Sequence, residues 1–136
     1  MDPDREQELL RKLREKLGVP EKRDERAELE RLFGARETLH APHLLDIEVT
    51  QVIRRYAAIG EVDVERGRAA IADLGDFPLR RYPHGLLLPR VWELRNNLTA
   101  YDAVYVALAE ALDAPLLTRD RRLAAATGHH ARVELV

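Results

Sequence analysis

The sequence predicts an α/β fold in which a mainly parallel central sheet is flanked by helices. From residue 37 onward, short apolar runs typical of strands alternate with segments whose apolar residues recur at helical spacing. Because helices separate the successive strands, we expect parallel pairing with right-handed crossovers. The chain has 136 residues, of which 46% are hydrophobic, and this is enough for one ordinary core.

The elements predicted after residue 36 follow one another along the chain with short connections. A short apolar strand at 39–42 is followed by a long amphipathic helix from about His43 to Ala58 and another helix from about Val64 to Leu74. The remaining segments are a strand at 77–82, a helix at 87–96, a nearly uncharged helix at 99–112, a strand at 115–118, a short helix at 121–126 and a final strand at 132–136.

The first 36 residues differ from the rest in composition. They hold all three lysines of the chain, with ten acidic and ten basic residues in total. Leucines at 9, 10, 13 and 17 form a narrow apolar stripe that Gly18 ends, and a second short helix is predicted at 24–33. We therefore predict a charged helical segment over residues 1–36 and a separate domain over residues 37–136. We expect the two helices of this segment to form a hairpin whose charged faces are solvated. The alternative is that the segment is an arm that binds a partner.

Composition excludes several classes of protein. The chain has no cysteine, which rules out disulfides and thiolate metal sites. No signal peptide and no apolar run of about 20 residues is present, so no membrane association is expected and the protein is expected to be cytoplasmic. The net charge of −2 gives no general attraction to nucleic acid. A polyanion would therefore be held by local arginines or through a bound cation.

Glu48 lies on an apolar stripe of its predicted helix, because three of its neighbours three and four residues away are Leu44, Leu45 and Val52. A carboxylate on such a stripe is costly to desolvate unless a cation or hydrogen-bond donors receive it. Two interpretations stay open at this point: a structural pair with an arginine, or a functional acid at a polar cleft.

Asp102 and Asp120 each have a local explanation. Residues 99–102, TAYD, resemble a capping box, and Asp120 precedes the short helix at 121–126 as an N-cap does. Asp102 nevertheless opens a helix that is apolar almost all round. Asp120 follows the end of an apolar strand, where parallel sheets place their ligands. Capping and a ligand role are compatible for both residues.

Together, Glu48, Asp102 and Asp120 predict a metal site of carboxylate oxygens. Such a donor set, with no histidine or cysteine, suits a hard cation such as Mg²⁺ or Mn²⁺ that retains water and binds substrate phosphate. Hydrolysis of a phosphodiester by metal-activated water is the matching chemistry.

Three blocks of sequence resemble PIN-domain proteins of the VapC toxin type. The blocks are residues 39–55, LHAPHLLDIEVTQVIRR, residues 98–110, LTAYDAVYVALAE, and residues 116–124, LLTRDRRLA. The resemblance implies a PIN fold, a Mg²⁺-dependent endoribonuclease acting on RNA, inhibition by a VapB-type antitoxin, and a homodimer. It also implies that Glu48, Asp102 and Asp120 are three acids of the family's metal site.

The sequence departs from this family at its start. Members normally begin with a hydrophobic strand that runs into an aspartate, roughly Val-Val-Asp-Ala-Ser, and no such segment occurs here. Asp2, Asp4 and Asp24 do not follow an apolar strand, so the first acid of the family's site has no counterpart. The first 36 residues are interpreted as a replacement for that strand, which normally lies in the middle of the sheet. Replacement by design, a divergent natural start and a misread start site all fit this pattern.

Two functions follow from these observations. The first is a metal-dependent endoribonuclease whose activity is impaired by the loss of one acid, with Arg119, Arg121 and Arg122 as weaker candidates for gripping RNA phosphates. The second is an inactive or engineered PIN-like scaffold that acts by protein association. Tyr101, Tyr105 and Trp92 are interpreted as core residues, and no site is assigned to the five histidines.

Overall fold

A computed structural model describes residues 38–136. The strands are β1 (Leu39–Pro42), β2 (Leu79–Tyr82), β3 (Leu116–Thr118) and β4 (Val133–Leu135). The helices are α1 (Leu44–Ala58), α2 (Val64–Asp76), α3 (Leu88–Glu93), α4 (Ala100–Leu112) and α5 (Arg121–Ala125). The predicted α/β class is confirmed, and every predicted element after residue 36 is present.

The strands pair in parallel, as predicted. β1 pairs with β2 in a register that places Leu39 opposite Leu79, and β3 pairs with β4 with Leu116 opposite Val133. Within residues 38–136 these are two separate pairs, and β1 is not hydrogen-bonded to β3. The helical replacement predicted for residues 1–36 lies outside the described residues.

Among the element boundaries that differ from the sequence-based expectation, those of β2 and α3 have local reasons. β2 begins at Leu79 rather than at residue 77, because Pro78 has no N–H to contribute to a strand ladder. α3 ends at Glu93 instead of reaching residue 96. There the backbone N–H of Asn97 donates to the carbonyl of Leu94, so the chain leaves the helix through tight turns.

The core is centred on α4. Seven consecutive residues of this helix, Ala103–Ala109, are buried, which matches its nearly uncharged sequence. α1 contributes Leu45, Val49 and Val52, three buried residues at helical spacing. α4 packs against both β1 and β3 and so links the two strand pairs.

α4 is closed at both ends by local hydrogen bonds. Thr99 caps its start, and the chain leaves it through Asp113 in the left-handed conformation, φ 49°. The backbone N–H of Ala114 then donates to the carbonyl of Ala109, which is the Schellman pattern. The caps define where the helix that carries Asp102 begins and ends.

α1 is anchored at its start by two partners from the β2 side of the fold. The backbone N–H of Leu44 donates to His84 Nε2 at 2.9 Å. Arg81, on β2, donates through Nε to both carboxylate oxygens of Asp46, at 3.1 and 2.8 Å. The same guanidinium donates to the carbonyl of Leu74 at the end of α2. Arg81 therefore ties together β2 and the helices α1 and α2.

Substitution Arg81→Lys is expected to lower the free energy of unfolding by about 1 to 3 kcal/mol. Lysine keeps the charge but loses the planar fork that serves Asp46 and the Leu74 carbonyl together, and hydrogen bonds to charged groups contribute roughly 1.5 to 3 kcal/mol each. Urea unfolding measures the change. Arg66→Lys, at an exposed position of α2, is the matched control. Equal stability of the two variants would contradict this role for Arg81.

Candidate metal centre

Glu48 lies in the second turn of α1, and its carboxylate accepts a hydrogen bond from a tyrosine. The Tyr105 hydroxyl donates to Glu48 Oε1 at 2.6 Å. Glu48 is half-buried, which agrees with its position on the border of the apolar stripe. The hydrogen bond connects α1 to α4 across 57 residues of sequence.

The Tyr105 phenol is buried and experiences the negative charge of nearby carboxylates. Its side chain is buried with 6% of its surface exposed, and this burial is the largest cause of a strongly raised pKa of the phenol. The negative charges of Glu48, Asp102 and Asp46 raise the pKa further, as does the hydrogen bond to Glu48. The phenol therefore stays protonated at neutral pH and acts as a donor to Glu48. Acids from two helices converge on this point.

Asp102 occupies the first turn of α4 and is half-buried. Its backbone N–H donates to Thr99 Oγ1 at 3.2 Å, so the predicted N-cap is present. Asp102 lies three positions before Tyr105, which puts both side chains on the same face of the helix. The side chain of Asp102 is thereby directed to the same side of α4 as the Glu48–Tyr105 pair.

Asp120 caps α5, as its sequence position predicted. Its Oδ1 accepts hydrogen bonds from the backbone N–H groups of Arg122 at 2.9 Å and Leu123 at 3.4 Å. The backbone N–H of Asp120 donates to Thr118 Oγ1 at 3.0 Å. Asp120 therefore directly follows the end of β3 in a fixed conformation. No hydrogen bond among residues 38–136 joins it to Glu48 or Asp102.

The acids present suit a cation that keeps much of its water. Over the described part of the chain, no three His, Cys, Asp or Glu side chains are grouped closely enough to enclose a metal ion. Glu48 and Asp102 near the Tyr105 phenol supply two hard oxygen ligands. Mg²⁺ is commonly held by one or two carboxylates, together with water and substrate phosphate, so these residues fit Mg²⁺ and Mn²⁺ better than an ion needing a closed cage.

Asp46 is an acid near the site that sequence analysis did not single out. It lies two residues before Glu48, and its charge contributes to the raised pKa of Tyr105. The ion pair with Arg81, at 2.8 Å, neutralises it. The arginine comes from β2, far along the sequence, so no local pattern indicates the pair.

The candidate RNA-binding arginines flank the Asp120 cap. Arg121 and Arg122 are exposed, whereas Arg119 is half-buried. Within residues 38–136 neither Arg121 nor Arg122 forms an ion pair. Both side chains are exposed on the surface beside Asp120. Exposed arginines are residues of the type that contact nucleic-acid phosphates.

The aromatic residues differ in burial, which the sequence analysis did not predict. Tyr105 is buried, as expected, but Tyr101 is 65% exposed and Trp92 is 69% exposed, so the expectation of core positions for these two was wrong. α3 buries Val91, and Leu94 just after the helix is buried too, which turns Trp92 outward. The Arg95 guanidinium lies 4.8 Å from the centre of the Trp92 ring.

Three of the histidines, His40, His84 and His129, have hydrogen-bond partners, and His129 Nδ1 accepts from the backbone N–H of Ala131 at 3.1 Å. His40 Nδ1 lies 2.6 Å from the Tyr82 hydroxyl, and burial, followed by the charge of Arg80, lowers the pKa of His40. His84 accepts the first N–H of α1.

Two substitutions of Asp120 distinguish the contribution of its N-cap hydrogen bonds from the contribution of its negative charge. Asparagine is as good an N-cap as aspartate, whereas loss of the cap by alanine costs roughly 1 kcal/mol. We therefore expect Asp120→Asn to leave the free energy of unfolding nearly unchanged and Asp120→Ala to lower it by about 1 kcal/mol. Thermal unfolding measures both. Equal destabilisation by the two substitutions would show that the cap is not the structural contribution of Asp120.

The fold described above agrees with a family comparison. The PIN-domain family matches residues 16–128 of the chain. The chain therefore belongs to the PIN-domain family, and the fold class expected from the resemblance is confirmed. The match begins within the segment that sequence analysis separated from the domain, so the boundary at residue 36 stays a prediction.

Within this family the chain is VapC-like. It is 51% identical over 98 residues to Ribonuclease VapC1 of Mycobacterium tuberculosis, covering 71% of this chain and 74% of that protein. It is 47% identical over 89 residues to VapC ribonuclease Mb0985 of Mycobacterium bovis, covering 65% and 70%. Ribonuclease VapC12 of Mycobacterium tuberculosis is 40% identical over 100 residues, covering 74% and 78%.

Proposed function

We propose that this protein is an endoribonuclease that hydrolyses RNA phosphodiesters with Mg²⁺, or Mn²⁺ in its place. Its relatives named as ribonucleases support the substrate class. The observation that carries the proposal is the hydrogen bond from the buried Tyr105 hydroxyl to Glu48, with Asp102 one turn before Tyr105 on the same face of α4. Half-buried acids brought together in this way are typical of a site that receives a cation.

In this proposal Glu48 and Asp102 would hold the cation, and Asp120 would interact with it through bound water. When bound, the cation lowers the pKa of an attacking water and neutralises charge on the leaving oxygen. Glu48 is held in place by the Tyr105 hydroxyl. Arg121 and Arg122 orient the RNA backbone through its phosphates, with a smaller part for Arg119.

Cleavage of a pooled RNA tests this function. We expect products with Mg²⁺, none with EDTA, and recovery when Mn²⁺ replaces the chelated ion. Cleavage that is insensitive to EDTA would contradict a metal-dependent reaction, because removing the ion must remove the activated water.

A second candidate function is a scaffold without catalysis that acts by protein association. It is supported by residues 1–36, which contain no apolar run leading into an aspartate. A site with fewer acids positions its ion less accurately, and displacing a metal or reactant by about 1 Å can cost on the order of 100-fold in rate. Exposed apolar side chains in and beside α3, Leu86, Leu88 and Trp92, offer a surface for association. Folded protein that cleaves no RNA with either ion would support this function over the first.

The protein partners proposed by the resemblance are a VapB-type antitoxin and a second copy of the chain. The location proposed is the cytoplasm. No helix within residues 38–136 is long and apolar enough to cross a membrane. Light scattering tests the homodimer, for which we expect twice the mass of one chain, and a mass of one chain would contradict it.

A further inference from the structure

We propose that Tyr105 is a positioning residue of the metal centre, whose hydroxyl holds the Glu48 carboxylate in the orientation that binds the cation. This inference rests on the proposed function, because it assigns a role within the same site. Sequence analysis interpreted Tyr105 only as a core residue, and the structure adds its contact with Glu48.

The geometry of the contact is that of a strong hydrogen bond. The two oxygens lie 2.6 Å apart, within the range of O–H···O⁻ bonds to a charged acceptor. An ionised carboxylate only accepts hydrogen bonds, so the tyrosine is the donor. The bond fixes the direction of the carboxylate and leaves its negative charge in place, as a ligand to a cation requires.

The two side chains differ in how firmly the fold holds them. The Tyr105 ring belongs to the buried core, with 6% of its surface exposed, together with Ala41, Leu45 and Val49. A packed tyrosine has two side-chain torsions to fix, whereas glutamate has three, and its terminal torsion is broad. The rigid ring therefore positions the more mobile carboxylate.

The neighbouring acids Asp102 and Asp46 explain why the orientation of Glu48 matters for binding a cation. Asp102 is on the same face of α4 as Tyr105, one turn earlier, so orienting Glu48 towards the phenol also orients it towards Asp102. The two like charges repel each other in the absence of a cation. Asp46 is paired with Arg81 and does not compete for the same donor. Tyr105 thus holds Glu48 on the side of α4 that carries Asp102, the second acid of the proposed site.

The substitution Tyr105→Phe removes the hydroxyl and keeps the ring. We expect the dissociation constant for Mn²⁺, measured by calorimetry on the full chain, to rise about 10- to 100-fold, as is usual when a group that orients a metal ligand is lost. At saturating Mn²⁺ the KM for RNA is expected to stay within about twofold of the original, since the phosphate-gripping arginines are unchanged.

Tyr101→Phe is the matched control, because it removes the hydroxyl of an exposed tyrosine from the same helix. It is expected to leave Mn²⁺ affinity unchanged. If the original protein binds Mn²⁺ and cleaves RNA while Tyr105→Phe binds Mn²⁺ equally well, the positioning role is overturned and the proposed function stands. If the original protein binds no Mn²⁺, both are overturned.

A second measurement covers the case in which Tyr105→Phe fails to fold. In otherwise unaltered protein labelled with 3-fluorotyrosine, sub-stoichiometric Mn²⁺ is expected to broaden the fluorine signal of Tyr105 much more than that of Tyr56. Tyr56 lies eight residues beyond Glu48 on α1, about 12 Å along the helix axis. Equal broadening of the two signals overturns the proposal, because the ion would then not lie beside Tyr105.

Discussion

Asp102→Asn is expected to lower the kcat/KM for RNA cleavage about 100-fold or more. Asparagine has nearly the shape of aspartate and leaves the backbone bond to Thr99 Oγ1 in place, so the fold is preserved. It removes one of two negative charges at the proposed Mg²⁺ site, and a shift of the ion by about 1 Å alone costs on the order of 100-fold in rate. Initial rates on a defined RNA at saturating Mg²⁺ measure the loss.

Asp73→Asn is the control for the loss of Asp102. Asp73 is an exposed acid on α2, and its substitution changes the net charge of the protein by the same amount. We expect its activity to match that of the original protein. If Asp102→Asn retained activity within about threefold, or if Asp73→Asn lost as much, the assignment of Asp102 to the metal centre would be wrong.

Leu45→Ala is expected to lower the free energy of unfolding by about 2 to 5 kcal/mol. Leu45 has 0% of its surface exposed and contributes to the main core cluster. Truncation removes buried methyl groups and leaves a cavity that the surrounding helices fill only in part. This is a large fraction of the roughly 5 to 15 kcal/mol that stabilises a typical domain. Urea unfolding with a two-state fit gives the value.

The matched control for Leu45 is Ile47→Ala, two residues further along α1. Ile47 is 67% exposed, and exposed substitutions usually change stability by less than about 0.5 kcal/mol. Losses of similar size at the two positions would contradict the orientation of α1, and with it the direction in which Glu48 points.

The fold beyond residue 37 could be predicted almost completely because local signals agree with one another. α4 combines a Thr99 cap with a nearly uncharged run, and Asp120 caps α5 directly after a short apolar strand. The pairing of the strands was predictable from the intervening helices. The arrangement as two separate pairs was not, because it depends on which segments meet in space.

The sequence singles out the acids proposed for the candidate site but not their hydrogen-bond and ion-pair partners. Glu48 was singled out because a carboxylate on an apolar stripe needs a donor. The donor is Tyr105, which lies 57 residues away in the sequence. A contact over this separation cannot be predicted from the local spacing of residues. The Asp46–Arg81 pair escaped prediction for the same reason.

The exposure of individual aromatic side chains could not be predicted from the sequence either. α3 is short, and an apolar run of this length gives too few turns to define one buried face. Its burial of Val91 and exposure of Trp92 follow from how it packs on α4, which is a property of the assembled fold.

The central claim is that Glu48 and Asp102 hold one divalent ion, with Asp120 interacting through the water bound to that ion. Crystals of the full chain soaked in Mn²⁺ test this claim most directly, because anomalous scattering locates the ion without reference to activity. We predict a single strong peak at about 2 Å from carboxylate oxygens of Glu48 and Asp102, with Asp120 reached through a bound water. A peak elsewhere, or none beside these residues at saturating Mn²⁺, would contradict it.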